Sequence, residues 1–205
     1  MSEQQPAGRW SRWTGPLVLL LAAASFGSVA VGIFVPSAAE RELAAFRPTE
    51  QRPDPSTGIP GVSVEQVVPP HEHDVPGAEP ATEPGRPPTS GSHGARVAPC
   101  DGIAVPDPVD PAEAVHALEH GAVWITYDPE LLPPDTVLRL GFRATDGEDL
   151  LMSPFPELGA PLSLQSWGHR LVLDTPADPR FEQFVVALAG NPFLVPEPDA
   201  GCPPA

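Results

Sequence analysis

Histidine is the residue type best suited to chemistry in this 205-residue chain, and its six copies are unevenly placed. His116 and His120 stand four apart in "VHALEHG". On a helix that spacing projects both rings from one face, an arrangement that grips a metal ion from two sides. His93 ends "PPTSGSH", a turn-rich loop just upstream that can fold over such a helix. Three imidazoles suit Zn²⁺ or copper, so His93, His116 and His120 form the candidate metal set. Glu119 is a ligand, a group that orients one of the imidazoles, or a solvated acid. Met152 would favour copper if the fold brought it near. On a helical wheel the two helix histidines lie beside the apolar stripe of Val115 and Leu118, not within it. The plainer alternatives are that His116 and His120 face the negative end of the helix dipole while His93 bonds within its loop, or that the group does acid–base work. His71 and His73, in "HEH", occupy a Pro-rich context and carry less weight.

His116-Ala-Leu-Glu119-His120 also matches the short inverted zinc-protease pattern H-x-x-E-H. Those proteases need a helix that continues past the motif, whereas Gly121 ends this one. No serine elbow and no phosphate-binding glycine loop occurs in the sequence. No catalytic nucleophile–base pair and no organic-cofactor motif can be named, which leaves an enzyme as the least supported class.

The elements that must position these residues begin near Asp110. Asp110 is a good N-cap, Pro111 suits the first helical position, and Gly121 suits the terminator, framing a helix over Pro111–His120. "AVWITY" (122–127) reads as a buried strand, 134–143 as a short helix, and "DLLMS" (149–153) as a second strand. Leu162, Leu164, Leu171 and Leu173 alternate on two strands that turn near Gly168. Phe181, Phe184, Val185 and Leu188 recur at helical spacing on a last helix that Gly190 ends. The order α-β-α-β-β-β-α predicts an α+β domain with one small mixed sheet covered by helices. Cys100 and Cys202 bracket this region, and outside the cytoplasm an even count reads as a disulfide.

Residues 17–35 form an apolar run of 19 residues. At about 1.5 Å per residue that is roughly 28 Å of helix, close to a bilayer's hydrocarbon thickness. Arg9 and Arg12 precede it, so the positive-inside rule predicts a cytoplasmic tail (1–16), an uncleaved transmembrane helix (17–35) in the lipid bilayer, and everything beyond outside the cell membrane. A cleaved signal peptide is the rival, but its apolar core normally runs about 7–15 residues. Residues 36–65, rich in Pro and acids, predict a disordered linker, followed by an extracytoplasmic domain over 66–205. The chain has 11 Arg, no Lys and 27 acids, a net charge of −16, and this excludes a nucleic-acid partner.

Together "PPTSGSH" (87–93), "VHALEHGAVWITYDP" (115–129), "SPFP" (153–156) and "SWGHRLVLD" (166–174) resemble an actinobacterial family of membrane-anchored proteins, domain of unknown function 3105. The resemblance covers about 66–202 and includes "APC" at 98–100 and a Cys near the C-terminus. It implies a single-pass anchor with the domain outside, and histidine at the positions of His93, His116 and His120. His169 stands where that family commonly has Arg, so it implies no role there. The expectation is an envelope protein that binds a transition metal or small ligand through the histidine trio. The alternative is a non-catalytic interaction or scaffold module holding an envelope partner, with structural histidines.

Overall fold

A sheet of six strands forms from the four predicted strands and two further ones at its edges. The computed structural model describes residues 37–67, 80, 83–145 and 147–202. The tail 1–16, the apolar run 17–35 and His71 and His73 lie outside those residues. Among the described residues no helix is long and apolar enough to cross a membrane. The elements are α1 (Ala38–Leu43), β1 (Ser63–Val64), β2 (Asp101–Ala104), α2 (Pro111–Glu119), β3 (Val123–Tyr127), α3 (Pro134–Ala144), β4 (Leu150–Pro154), β5 (Leu162–Ser166), β6 (His169–Leu173) and α4 (Arg180–Leu188). From α2 to α4 they follow the expected order, while β1 and β2 carry too little periodicity to be read beforehand.

The strands run β1-β6-β5-β3-β4-β2 across the sheet. β2, β4 and β3 are mutually parallel, and β3, β5, β6 and β1 alternate antiparallel. Parallel neighbours need a crossover, which α3 supplies between β3 and β4. Helices cover both faces, so β3, β4 and β5 are buried along their length. Successive side chains of a strand point to opposite faces. Thus Val123, Ile125 and Tyr127 join Leu140 of α3 and Phe181, Phe184 and Leu188 of α4 in the larger core. Trp124, Leu151 and Trp167 join Ala114, Val115 and Leu118 of α2 in a second core on the other face.

The chain around α2 turns sharply at its end. Gly121 adopts φ +109°, and a Cβ there would sit 3.4 Å from Gly190, whose amide donates to the Gly121 carbonyl. This close approach locks the end of α2 to the end of α4.

One boundary differs from expectation. The described part of the expected disordered linker (36–65) is structured, and the compact unit that holds the domain starts at Glu42, not at residue 66. Phe46, Ile59 and Val62 pack on the larger core. Pro55–Gly58 forms a 3₁₀ turn capped by Asp54, which accepts from the Ser56 amide. The buried Asn191 side chain donates to the Pro53 carbonyl (2.9 Å), and Arg180 donates to Pro60 (3.1 Å). Three scattered apolar residues have no period to detect, and the polar clamps of Asn191 and Arg180 complete the docking that they begin.

Asn191 also donates to the Ala187 carbonyl and accepts from the Phe193 amide. Asn191→Ala should therefore cost about 1–3 kcal/mol, the range for orphaning buried partners. Urea melts should show that loss, together with faster proteolysis within residues 47–62. Unchanged melts and unchanged cleavage would show that the segment does not depend on this clamp.

Candidate metal centre

The site is built on α2, whose start is set by Asp110: its Oδ1 accepts from the Ala112 amide at 2.9 Å, with Pro111 in the first turn. Ala114, Val115, Ala117 and Leu118 bury one face against the sheet. The flank of that stripe, where the helical wheel places the histidines, is buried as well. His116 is 5% exposed and Glu119 1%. Two segments with no regular structure provide this cover.

The first is the loop carrying His93. Its Ala98 amide donates to the Glu113 carbonyl, and Arg96 pairs with Glu113 at 2.8 Å. Further up, Arg170 of β6 donates to the Pro87 carbonyl, and the Gly168 amide donates to Thr89. Glu65 gathers these strands of cover. It accepts from Arg170 Nε (2.8 Å), Arg86 Nη2 (2.8 Å) and the Thr89 hydroxyl (2.9 Å). Burial pushes its carboxyl up, but Arg170, Thr89 and Arg86 together outweigh burial and hold it at about 2.

The second cover is the C-terminal segment. The Glu197 amide donates to the Glu119 carbonyl at 3.2 Å, and Val195 packs on the second core. Cys202 is bonded to Cys100, with an S–S distance of 2.02 Å and Cα atoms 5.2 Å apart.

The three imidazoles come together in a row, tilted by 41° between His93 and His116 and edge-on, at 80°, between His116 and His120. The ring centroids of His93 and His116 are 4.7 Å apart, as are those of His116 and His120. Each Nδ1 meets backbone carbonyl oxygens: His93 at Gly91 (3.0 Å), His116 at Gly94 (2.9 Å) and Arg96 (3.2 Å), His120 at Gly201 (2.9 Å). A carbonyl oxygen only accepts, so every Nδ1 carries its hydrogen and every Nε2 is the nitrogen left to act as base or ligand. This pattern is what metal-binding histidines show, the second ring nitrogen being spent on orientation.

Each end of the row carries a carboxylate. Glu119 Oε2 lies 2.7 Å from His93 Nε2, and Glu197 Oε2 lies 3.5 Å from His120 Nε2. The first contact is one of charge rather than of directed hydrogen-bond geometry. With Nδ1 already protonated, Nε2 and a carboxylate this close need something positive between them, a proton or a cation. Two overlapping groups result, His93/His116/Glu119 and His116/His120/Glu197, with the ligand atoms of each within 4.8 Å of one another.

Sequence reasoning named His93, His116, His120 and Glu119, and the fold brings all four together. It missed Glu197, whose only signal was proximity to Cys202, the residue that had to return to Cys100. Met152 is not part of the site: it belongs to the larger core on the far face of the sheet. His169 is buried elsewhere, its Nδ1 donating to Trp167 (2.6 Å) and its Nε2 meeting Asp54 (3.2 Å), so it anchors the N-terminal segment. Residues 78–204 match the family model described as "Protein of unknown function (DUF3105)". No curated protein and no solved structure matches the chain.

Glu65 makes the cover pH-dependent. An unfolded glutamate titrates near 4.5, so with a folded value of about 2 its stabilisation is complete above about pH 4.5 and lost as pH falls towards 2. Denaturant melts should show wild type ahead of Glu65→Gln at neutral pH, with the gap closing across that window. An equal gap near pH 2 would remove Glu65 from this role.

Proposed function

The chain belongs to the DUF3105 family, and we propose that its folded domain binds one transition-metal ion, Zn²⁺ or copper, at the cluster of His93, His116 and His120, through two imidazoles and a carboxylate at a time. The single observation that carries this reading is the convergence of the three rings, each with Nδ1 donated to backbone and each belonging to a group whose ligand atoms lie within 4.8 Å of one another. Nitrogen and carboxylate ligands sit about 2.0–2.2 Å from a tetrahedral zinc, so they are about 3.3–3.6 Å from one another. The ligand atoms of each group, within 4.8 Å of one another, close to that spacing through side-chain movement. Glu119 supplies charge where it counts most, because an ion buried beside a carboxylate in a low-dielectric interior is held far more strongly than in water.

The metal site belongs, on this reading, to the outside of the cell. The apolar run 17–35 and the preceding Arg9 and Arg12 support a single-pass anchor with the domain extracytoplasmic. A Cys100–Cys202 bond suits that compartment, since cytosolic thiols are kept reduced.

An interaction module is favoured by one separate observation. Val105, Tyr127, Leu138 and Phe142 line an apolar groove of about 410 Å³, and Leu138 and Phe142 are exposed. The histidine cluster, with neighbouring centroids 4.7 Å apart, is the stronger guide to function, because structural histidines have no need to converge.

Calorimetric titration of the purified full chain with Zn²⁺ or Cu²⁺ should give one equivalent. His116→Ala/His120→Ala should weaken binding by more than about 100-fold, the upper range for loss of a mere supporting partner. Equal binding by a folded double variant would end the metal reading in favour of the interaction module.

A further inference from the structure

We infer that the bound ion has two positions used in succession: an outer one at His116/His120/Glu197 where it enters, and an inner one at His93/His116/Glu119 where it rests. This deepens the proposed metal site and depends on it.

The two groups share His116, and that residue decides how they work. An imidazole can bridge two ions only by lending both nitrogens. His116 Nδ1 is held by the carbonyls of Gly94 and Arg96, so His116 offers a single ligand atom. Two ions cannot both have it. The groups are therefore alternative seats for one ion.

Burial orders the two seats. His93 is fully buried, and Glu119 is 1% exposed. The His120 and Glu197 side chains are 10% and 40% exposed, so the outer group is the one that meets solvent. A hydrated divalent ion cannot shed its whole water shell at once without a large cost. Glu197 and His120 can replace part of that shell at the surface while the rest stays wet. His116 stays bound as the ion passes, and His93 and Glu119 then replace the remaining waters. The inner seat wins at equilibrium because its carboxylate acts in a drier, lower-dielectric setting.

The seats also belong to different pieces of chain. His93 is on the loop, His116, Glu119 and His120 are on or at the end of α2, and Glu197 is on the disulfide-tied C-terminal segment. Glu197 is held by its backbone amide, which donates to the Glu119 carbonyl. Its side chain can thus be changed without releasing the segment, which makes the inference testable by an isosteric variant.

The experiment is Zn²⁺ exchange on the purified full chain, followed by stopped flow against a chromophoric chelator, alongside equilibrium titration. Glu197→Gln should slow both loading and release about tenfold, the low end of electrostatic effects on cation capture. Glu119→Gln should instead show its main loss in equilibrium affinity, with release faster than wild type. Wild type should bind one Zn²⁺. Exchange by Glu197→Gln at the wild-type rate, matching affinity losses in the two variants, or two equivalents bound by wild type would each overturn the two-seat scheme while leaving metal binding standing. Absence of Zn²⁺ binding by wild type would instead overturn the metal reading itself.

Discussion

The bond between Cys100 and Cys202 is the constraint on which the rest of the centre depends. Its two ends lie on either side of α2 in sequence, 102 residues apart, and it draws the C-terminal segment across the helix face that the sheet leaves uncovered. Cross-linking so long a loop contributes about 4.7 kcal/mol in a chain-entropy treatment. Its local effect is as important as its energy. Gly201, next to the bonded cysteine, supplies the carbonyl that orients His120, and the same segment delivers Glu197. Release of that segment would take from His120 both its orienting carbonyl and its carboxylate partner, and would free the Glu119 carbonyl at the end of α2.

A second constraint is the scarcity of cations. With 11 Arg, no Lys and 27 acids, most carboxylates cannot find a basic partner. The arginines are placed where structure needs them: Arg170 and Arg86 on Glu65, Arg96 on Glu113, Arg180 on Asp178, and Arg143 on Glu182. Glu119, the most deeply buried of these acids, pairs with an imidazole instead. Burying a charge without compensation is too costly to persist, so the histidine cluster and the buried acid account for each other. In an acidic chain, a divalent ion gains from every such carboxylate.

Much of the scaffold was legible in the residues. Asp110–Pro111 and Gly121 mark the two ends of α2 because a cap, a pre-set φ and a left-handed terminator are local demands that neighbours in sequence satisfy. The alternation of Leu162, Leu164, Leu171 and Leu173 and the spacing of Phe181, Phe184 and Leu188 are periods that one buried face imposes. The docked segment from Phe46 to Val62 was not legible, since it packs through three irregularly spaced apolar residues and through carbonyls bound by Asn191 and Arg180. β2 was hidden for a related reason: at an edge, with a register shift against β4, it shows no clean alternation.

By itself, the sequence determined the element order from α2 to α4, the pairing of the two cysteines, and the placement of His116, Glu119 and His120 within one turn of helix. Those follow from local backbone preferences and from an even count of thiols. Only the tertiary structure decided that His93 lies against His116, that every Nδ1 is spent on a carbonyl, that Glu119 is buried, and that Glu197 joins the site while Met152 does not. Apart from the local bond of His93 to Gly91, the hydrogen bonds among these join residues 20 to 81 positions apart, through segments that have no period of their own. Nothing in local sequence encodes such distances, because they are set by how loop, helix and tail share one side of the sheet.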